Sequence, residues 1–208
     1  TVITAKTKSD NLEVVTIEIG EESDLSTTYS PVYDYYKSYS VSQTIYTSNE
    51  IGVTSGTITS ISYKNSSGNN NTRNIAVYLK NVDRNNFATK EWETLTSDLC
   101  VYDGNFTFGT NDWVTIEFTD EFEYDGGNLL VCVVDKTGAA IYSSSYDTFR
   151  AYEVSQTESE SRAVFGEYKS SGTPINPLDL TNTAGAPTYV RTSLGGTLYS
   201  YRAPLVKF

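Results

Sequence analysis

The residues of this chain that are able to do chemistry are few, and the first fact about them is an absence: there is no histidine. That removes serine–histidine–aspartate and cysteine–histidine mechanisms, together with the common histidine-bearing zinc and iron sites. Carboxylates, two cysteines and aromatic rings remain. A pair of carboxylates facing across a cleft suffices for a glycosidase, so that chemistry is not excluded by composition. Asp120, Glu121 and Glu123 cluster, but where a strand meets solvent, and they read as a hydrated turn. No catalytic residue is assigned, and the chain is not expected to be an enzyme. Calcium is the cofactor this composition can hold, because hard oxygen ligands gather at its turns. The candidates are Asp103, Asn105, Asp125 and Asp135. They lack EF-hand spacing, and turn chemistry accounts for each equally well.

Cys100 and Cys132 each sit inside an apolar, strand-like segment. In inner strands of a sandwich they form one disulfide if their Cα atoms lie within about 7 Å. The plainer reading is two buried free thiols packing as small hydrophobes. Tyr78, Trp92 and Trp113 are candidate platforms for a sugar ring, since an aromatic face stacks on the C–H face of a pyranose; the competing reading is ordinary packing on a pleated surface. Asn65, Asn70 and Asn105 stand in N-x-[ST] sequences.

The elements that must position these residues are strands. In Asp112–Asp135, Val114, Ile116 and Phe118 alternate with Thr115, Glu117 and Thr119, the period of a half-buried strand. After Asp125-Gly126-Gly127-Asn128, Leu129 to Val134 are apolar on both faces, as in a strand covered on both sides. A second layer must therefore come from the rest of the chain. Leu12–Gly20, Thr57–Tyr63, Arg73–Lys80, Thr148–Val154, Ala163–Lys169 and Tyr199–Phe208 also read as strands, with Ala139–Tyr142 as a shorter one. Tyr33 to Tyr46 reads as an aromatic strand or strand pair. Ile58 and Ile61 are out of phase, which predicts a bulge. Arg73–Lys80 is expected to turn Tyr78 to solvent. Thr47 and Glu50 have capping-box spacing before Gly52, so one helical turn is expected there. Asn65–Asn71 reads as an exposed loop, Gln156–Ser161 as a charged hairpin loop and Ser170–Thr188 as a long excursion.

These signals add up to an all-β fold of two antiparallel sheets, with at most one or two short helical turns. A single domain is expected over residues 1–208, with 1–11 as a flexible or linker segment. At 208 residues it buries roughly 70% of its unfolded surface. A formal charge of −11 repels polyanions, so nucleic acid is not an expected partner. No apolar run approaches the roughly 20 residues of a membrane helix, so membrane insertion is not expected either. There is no signal-peptide pattern at Thr1 and no methionine, which suggests a processed or trimmed chain.

The succession YYKSYSVSQTIYTSNEIG, GTITSISY, TRNIAVYLKNVDRNNFATKEW, WVTIEFTDEFEYDGGNLLVCVVDKTG and YRAPLVKF resembles the adhesin modules of secreted bacterial surface proteins, the cleaved-adhesin or gingipain haemagglutinin-like family. The likeness runs from about Val15 to Phe208 and rests on five ordered motifs. It implies a jelly-roll sandwich of the MAM-like, galactose-binding-like kind. It also implies a non-catalytic extracellular module, secreted or on the cell surface, monomeric within a larger protein that carries peptidase, fibronectin-type or glycan-active domains. Family members bind host protein, haem or polysaccharide, and some hold structural calcium. The chain departs from the pattern in thinning the acidic run after the central strand to Asp135-Lys136-Thr137, and in lacking the commonest haem ligand. Ser143 to Gly195, where specificity is expected to reside, matches the family least. Three functions follow from the resemblance. The first is an adhesin-like module binding a host extracellular protein or glycan. The second is a carbohydrate-binding module appended to a glycan-degrading enzyme. The third is a structural spacer with no ligand of its own.

Overall fold

Extended chain accounts for most of the computed structural model, which describes residues 3–6, 12–21, 23–33, 35–110, 112–142, 145–168, 174–194 and 198–208. In chain order the described strands begin with β1 (Ile3–Lys6), β2 (Leu12–Val15), β3 (Glu18–Ile19), β4 (Ser26–Thr27) and β5 (Tyr39–Tyr46). Then come β6 (Gly56–Ser67), β7 (Thr72–Val82), β8 (Cys100–Thr107), β9 (Trp113–Tyr124) and β10 (Asn128–Asp135). The last are β11 (Thr148–Ser155), β12 (Ala163–Tyr168), β13 (Thr188–Tyr189), β14 (Arg191–Leu194), β15 (Leu198–Pro204) and β16 (Val206–Lys207). Two four-residue helices, α1 (Ser48–Ile51) and α2 (Leu180–Thr183), and two 3-10 turns complete the described elements.

The strands form two antiparallel sheets. One runs β13-β12-β5-β10-β7-β8; the other runs β14-β15-β11-β6-β1-β2, with β9 and β16 also paired to β6. From β5 onward the chain passes from one sheet to the other at seven of its eleven connections. The reason is visible in β10. Leu129, Val131 and Val133 point into the core between the sheets, against Ile58, Ile61, Ile116, Phe149 and Phe208. Leu130, Cys132 and Val134 point the other way, into a second core capped by Phe87, Leu95, Ile175 and Leu180. Burying each such side chain stabilises by roughly 1.5–3 kcal/mol, so β10 anchors both layers.

The bulge expected near Ile58 and Ile61 is present, a register shift between Ile58 and Ser60 that lets both isoleucines enter the core. The helical turn before Gly52 is also present: Glu50 accepts from the backbone nitrogen of Thr47 at 2.9 Å, and Gly52 takes φ +74°. Other expectations are corrected. Tyr78 is buried, 6% exposed, because the 83–99 and 174–190 excursions cover the outer face of its sheet. The Tyr33–Tyr46 strand starts only at Tyr39, since the left-handed φ of +57° at Tyr36 breaks extended chain before it. Strand β6 runs on through Asn65 to Ser67, with Asn65 buried and donating to the carbonyl of Phe108 at 3.2 Å. Gln156–Ser161 joins strands of different sheets and so is no hairpin loop. Ala139–Tyr142 contributes a single bridge rather than a strand. Within 1–11, expected to be a linker, Ile3–Lys6 is a strand paired with β2 and β6; residues 1, 2 and 7–11 lie outside the described residues.

Candidate functional site

At the end of the sandwich where β5 and β7 begin, β10 ends and β11 begins, three loop segments bring tyrosines together. Tyr35 makes a parallel bridge to Ile141, and the Tyr36 backbone nitrogen donates to the Ile141 carbonyl at 3.0 Å. This docks the 35–36 turn on the 139–142 segment. The rings follow the backbone: Tyr35 meets Tyr36 at 4.3 Å between centroids and Tyr146 at 4.4 Å, and Tyr36 meets Tyr142 at 5.4 Å. Tyr36 is 45% exposed and Tyr142 68% exposed, so these rings face water while their partners support them.

Each segment is fixed from below. Arg73 is 2% and Asp135 0% exposed; Arg73 donates from Nε at 2.9 Å and from Nη2 at 2.5 Å to one Asp135 oxygen. Its Nη1 donates to the Ala139 carbonyl at 2.7 Å, which ties the segment carrying Tyr142 to the core. The other Asp135 oxygen accepts from the nitrogen of Thr137 at 2.9 Å and its hydroxyl at 2.5 Å. Asp147, buried, accepts from the backbone nitrogen of Asn69 at 2.9 Å and from Asn71 Nδ2 at 3.0 Å. The same asparagine side chains donate to the carbonyls of Tyr146 at 2.8 Å and Ser145 at 2.6 Å. The polar Asn65–Asn71 stretch is thus partly a clamp on the Tyr146 segment. On the third side Lys37, buried, pairs with Glu167 and lies 5.7 Å from the Tyr33 ring centroid.

Tyr33 extends the aromatic surface. It packs edge-on against Tyr29 at 4.9 Å and Phe165 at 6.0 Å, and Tyr29 stacks on Phe165 at 4.4 Å. Burial pushes the Tyr33 phenol up to about 12, helped by Tyr29, Glu167, Tyr35 and Tyr146 nearby. A hydrogen bond with Tyr36 raises Tyr35. These phenols stay neutral at physiological pH. The site therefore offers apolar ring faces with hydroxyl rims, suited to stacking and hydrogen bonding rather than to bond breaking.

Apart from Asp135, which braces the platform from below, the sequence-predicted residues are not among those that build it. Trp92 donates from Nε1 to the Gly185 carbonyl at 2.6 Å and packs so closely on Gly166 that a Cβ there would meet it at 2.9 Å. It fastens one excursion to another. Trp113 is covered by the ammonium of Lys207, 4.1 Å from its centroid, with that of Lys64 at 5.7 Å. The calcium candidates do not converge. Asp103 pairs with Lys136 at 2.5 Å, Asn105 accepts from Asn74 at 3.1 Å, and Asp125 accepts from the Gly127 nitrogen at 2.9 Å. Asp135 is held by Arg73, at the opposite end of β10 from Asp125. No group of three or more Cys, Asp and Glu able to hold a metal occurs among the described residues. The plainer reading of the cysteines holds: Cys132 pairs in register with Tyr78, and Tyr78 with Cys100. The cysteines are two strands apart in one sheet, roughly 10 Å, and both are free. Asp120, Glu121 and Glu123 are exposed as expected, but they lie within strand β9 rather than at a turn.

Sequence reasoning missed Tyr35, Tyr36, Tyr142 and Tyr146 as a site. The signal was there in composition, tyrosines set among Asp, Lys and Ser in YDYYKSY and YSSSY. Comparison of the chain with models of protein families, with curated protein sequences and with solved structures returned no match.

Proposed function

We propose that this chain is a non-catalytic, adhesin-like binding module of an extracellular protein, and that its ligand is a glycan seated on the Tyr35–Tyr36–Tyr142–Tyr146 platform. The observation that carries the reading is the pair of half- to two-thirds-exposed rings, Tyr36 and Tyr142, held in place by a buried ion pair and an asparagine clamp. Large rings left in water at one loop end and braced from beneath resemble a preorganised binding surface more than leftover core. Tyrosine suits this because it loses few rotatable bonds for a large contact area. The phenol oxygens add hydrogen-bonding groups at the rim for sugar hydroxyls.

The test is a glycan and matrix-protein array probed with the intact protein and with a Tyr36→Asn, Tyr142→Ser variant. Asparagine tolerates the left-handed backbone at position 36, so the variant keeps the fold. Glycan signals in the wild type that vanish in the variant, with unchanged circular dichroism, support the reading. A blank array, or binding indifferent to both substitutions, overturns it. Turnover of a glycan or peptide that one carboxylate substitution abolishes would refute the non-catalytic part.

A further inference from the structure

A second feature adjoins the aromatic surface, a cleft of about 280 Å³ between the 26–29 segment and the 190–192 segment, with β15 between them. Its lining includes Ser26, Thr27, Thr28, Arg191, Thr192 and Arg202. Arg202 spends its Nη1 on the Ser26 carbonyl at 2.6 Å, but its Nε is buried and has no hydrogen-bond partner. Nor does any carboxylate of the described residues form an ion pair with Arg202. Glu153, opposite it in register on β11, acts on it only at longer range. An unspent donor on a partly desolvated guanidinium is costly, and each such case calls for an explanation.

The neighbouring charges leave room for an anion. Arg191 reaches Glu158 at 3.3 Å and lies 4.0 Å over the Tyr199 ring, and Lys90 shares Glu158 at 3.5 Å. Arg191 and Arg202 are the charged residues of the lining, and Arg191 shares the carboxylate of Glu158, which lies outside it, with Lys90. The overall charge of −11 matters little at this range, since salt screens exposed charges beyond about 8 Å. Tyr29, Arg191 and Thr192 also line a neighbouring hollow with Phe165 and Tyr199. Tyr29, which lines that hollow, packs edge-on against Tyr33.

We propose that this cleft binds the carboxylate-bearing sugar of an acidic glycan, with Arg202 and Arg191 receiving the carboxylate and the Ser and Thr walls receiving ring hydroxyls. The proposal rests on the glycan reading and narrows it to uronate- or sialate-containing chains. Guanidinium forks match carboxylates. The hydroxyl walls and adjoining ring faces favour a polyhydroxylated ring over an acidic peptide side chain.

The test follows the Nε–H signals of arginine by NMR in the intact protein titrated with glucuronate, N-acetylneuraminate, a neutral methyl glycoside, acetate or a glutamate-rich peptide. The Arg202 signal, assigned by its loss in Arg202→Gln, should shift with one or both acidic sugars and stay still with the neutral glycoside. Shift by glucuronate alone or by N-acetylneuraminate alone identifies which source of carboxylate the cleft takes. Arg202→Lys, which keeps the charge but not the fork, should weaken that sugar on the order of tenfold or more. No shift with either acidic sugar overturns the proposal, as does an equal response to acetate, to the peptide or to the neutral glycoside. If the array shows neutral glycans bound through the tyrosines and no acidic preference, this inference fails while the platform reading stands. If the array is blank, the platform reading is the one that fails.

Discussion

Replacing Arg73 with methionine should be among the most damaging single changes in this protein. The guanidinium is 2% exposed and gives two hydrogen bonds, at 2.9 and 2.5 Å, to a carboxylate that is fully buried. Methionine fills similar volume, so packing is largely kept and the charge is what is lost. Asp135 would then keep only the two donors of Thr137, with no cation. Breaking a buried pair from one side costs about 3–5 kcal/mol, because it leaves an uncompensated charge away from water. That is a large share of the roughly 5–15 kcal/mol that holds a folded protein together. At about 2–4 °C per kcal/mol for a chain of this size, the melting temperature should fall by roughly 6–20 °C. Urea unfolding followed by circular dichroism gives the same quantity independently. Removing both partners, as in Arg73→Met with Asp135→Leu, should recover most of the loss, since no orphan charge remains. A loss below about 1 kcal/mol for Arg73→Met would refute the reasoning, because it would mean that water reaches the Asp135 carboxylate.

Three further outcomes are expected. Burial raises the Asp147 carboxyl above its ordinary range, against the pull of the Asn69 and Asn71 donors and Arg73. The folded state then holds the proton more tightly than the unfolded chain, so this group's contribution to stability falls as pH rises through the raised value. From acid to neutral pH the wild type should therefore lose more stability than Asp147→Asn in parallel thermal melts, whatever constant offset comes from the one hydrogen bond that an amide nitrogen cannot accept; an identical pH dependence would contradict this. Burial pushes the Cys132 thiol up to about 12 and also raises Cys100, so native protein should alkylate slowly, and unfolded protein should take two labels without reductant, by mass. The same melting temperature is expected in calcium and in chelator, because Asp103, Asn105, Asp125 and Asp135 do not converge on one point.

The sheets were legible in the sequence because their signal is local. Leu129 to Val134, apolar on both faces, required two cores, and each face of β10 has one. The out-of-phase Ile58 and Ile61 required a bulge. What could not be read is whatever depends on which strands are neighbours. Tyr78 looks half-exposed by period alone, yet distant excursions roof it over. Whether Cys100 and Cys132 meet is left open by their spacing and is decided by β7 standing between them. The site belongs to this second class. Tyr35 and Tyr146 are far apart in sequence, and nothing short of register brings their rings to 4.4 Å.

The platform also stores a local cost that the fold must offset. Tyr36 holds φ +57°, a conformation that costs an L-residue roughly 1–2 kcal/mol. Its ring contacts with Tyr35 and Tyr142 return about 0.5–1.5 kcal/mol each. The hydrogen bond to Ile141 adds roughly 1 kcal/mol. Without the 139–142 segment only the Tyr35 contact would remain, at or below that cost, so the turn keeps its shape only while the segment stays docked. That docking depends in turn on the Ala139 carbonyl held by Arg73. Strain of this kind persists where surrounding structure over-determines it, which is how binding surfaces are commonly preorganised. The buried ion pair and the exposed rings are therefore one device: the core charge fixes the segment, the segment fixes the strained turn, and the turn presents the tyrosine.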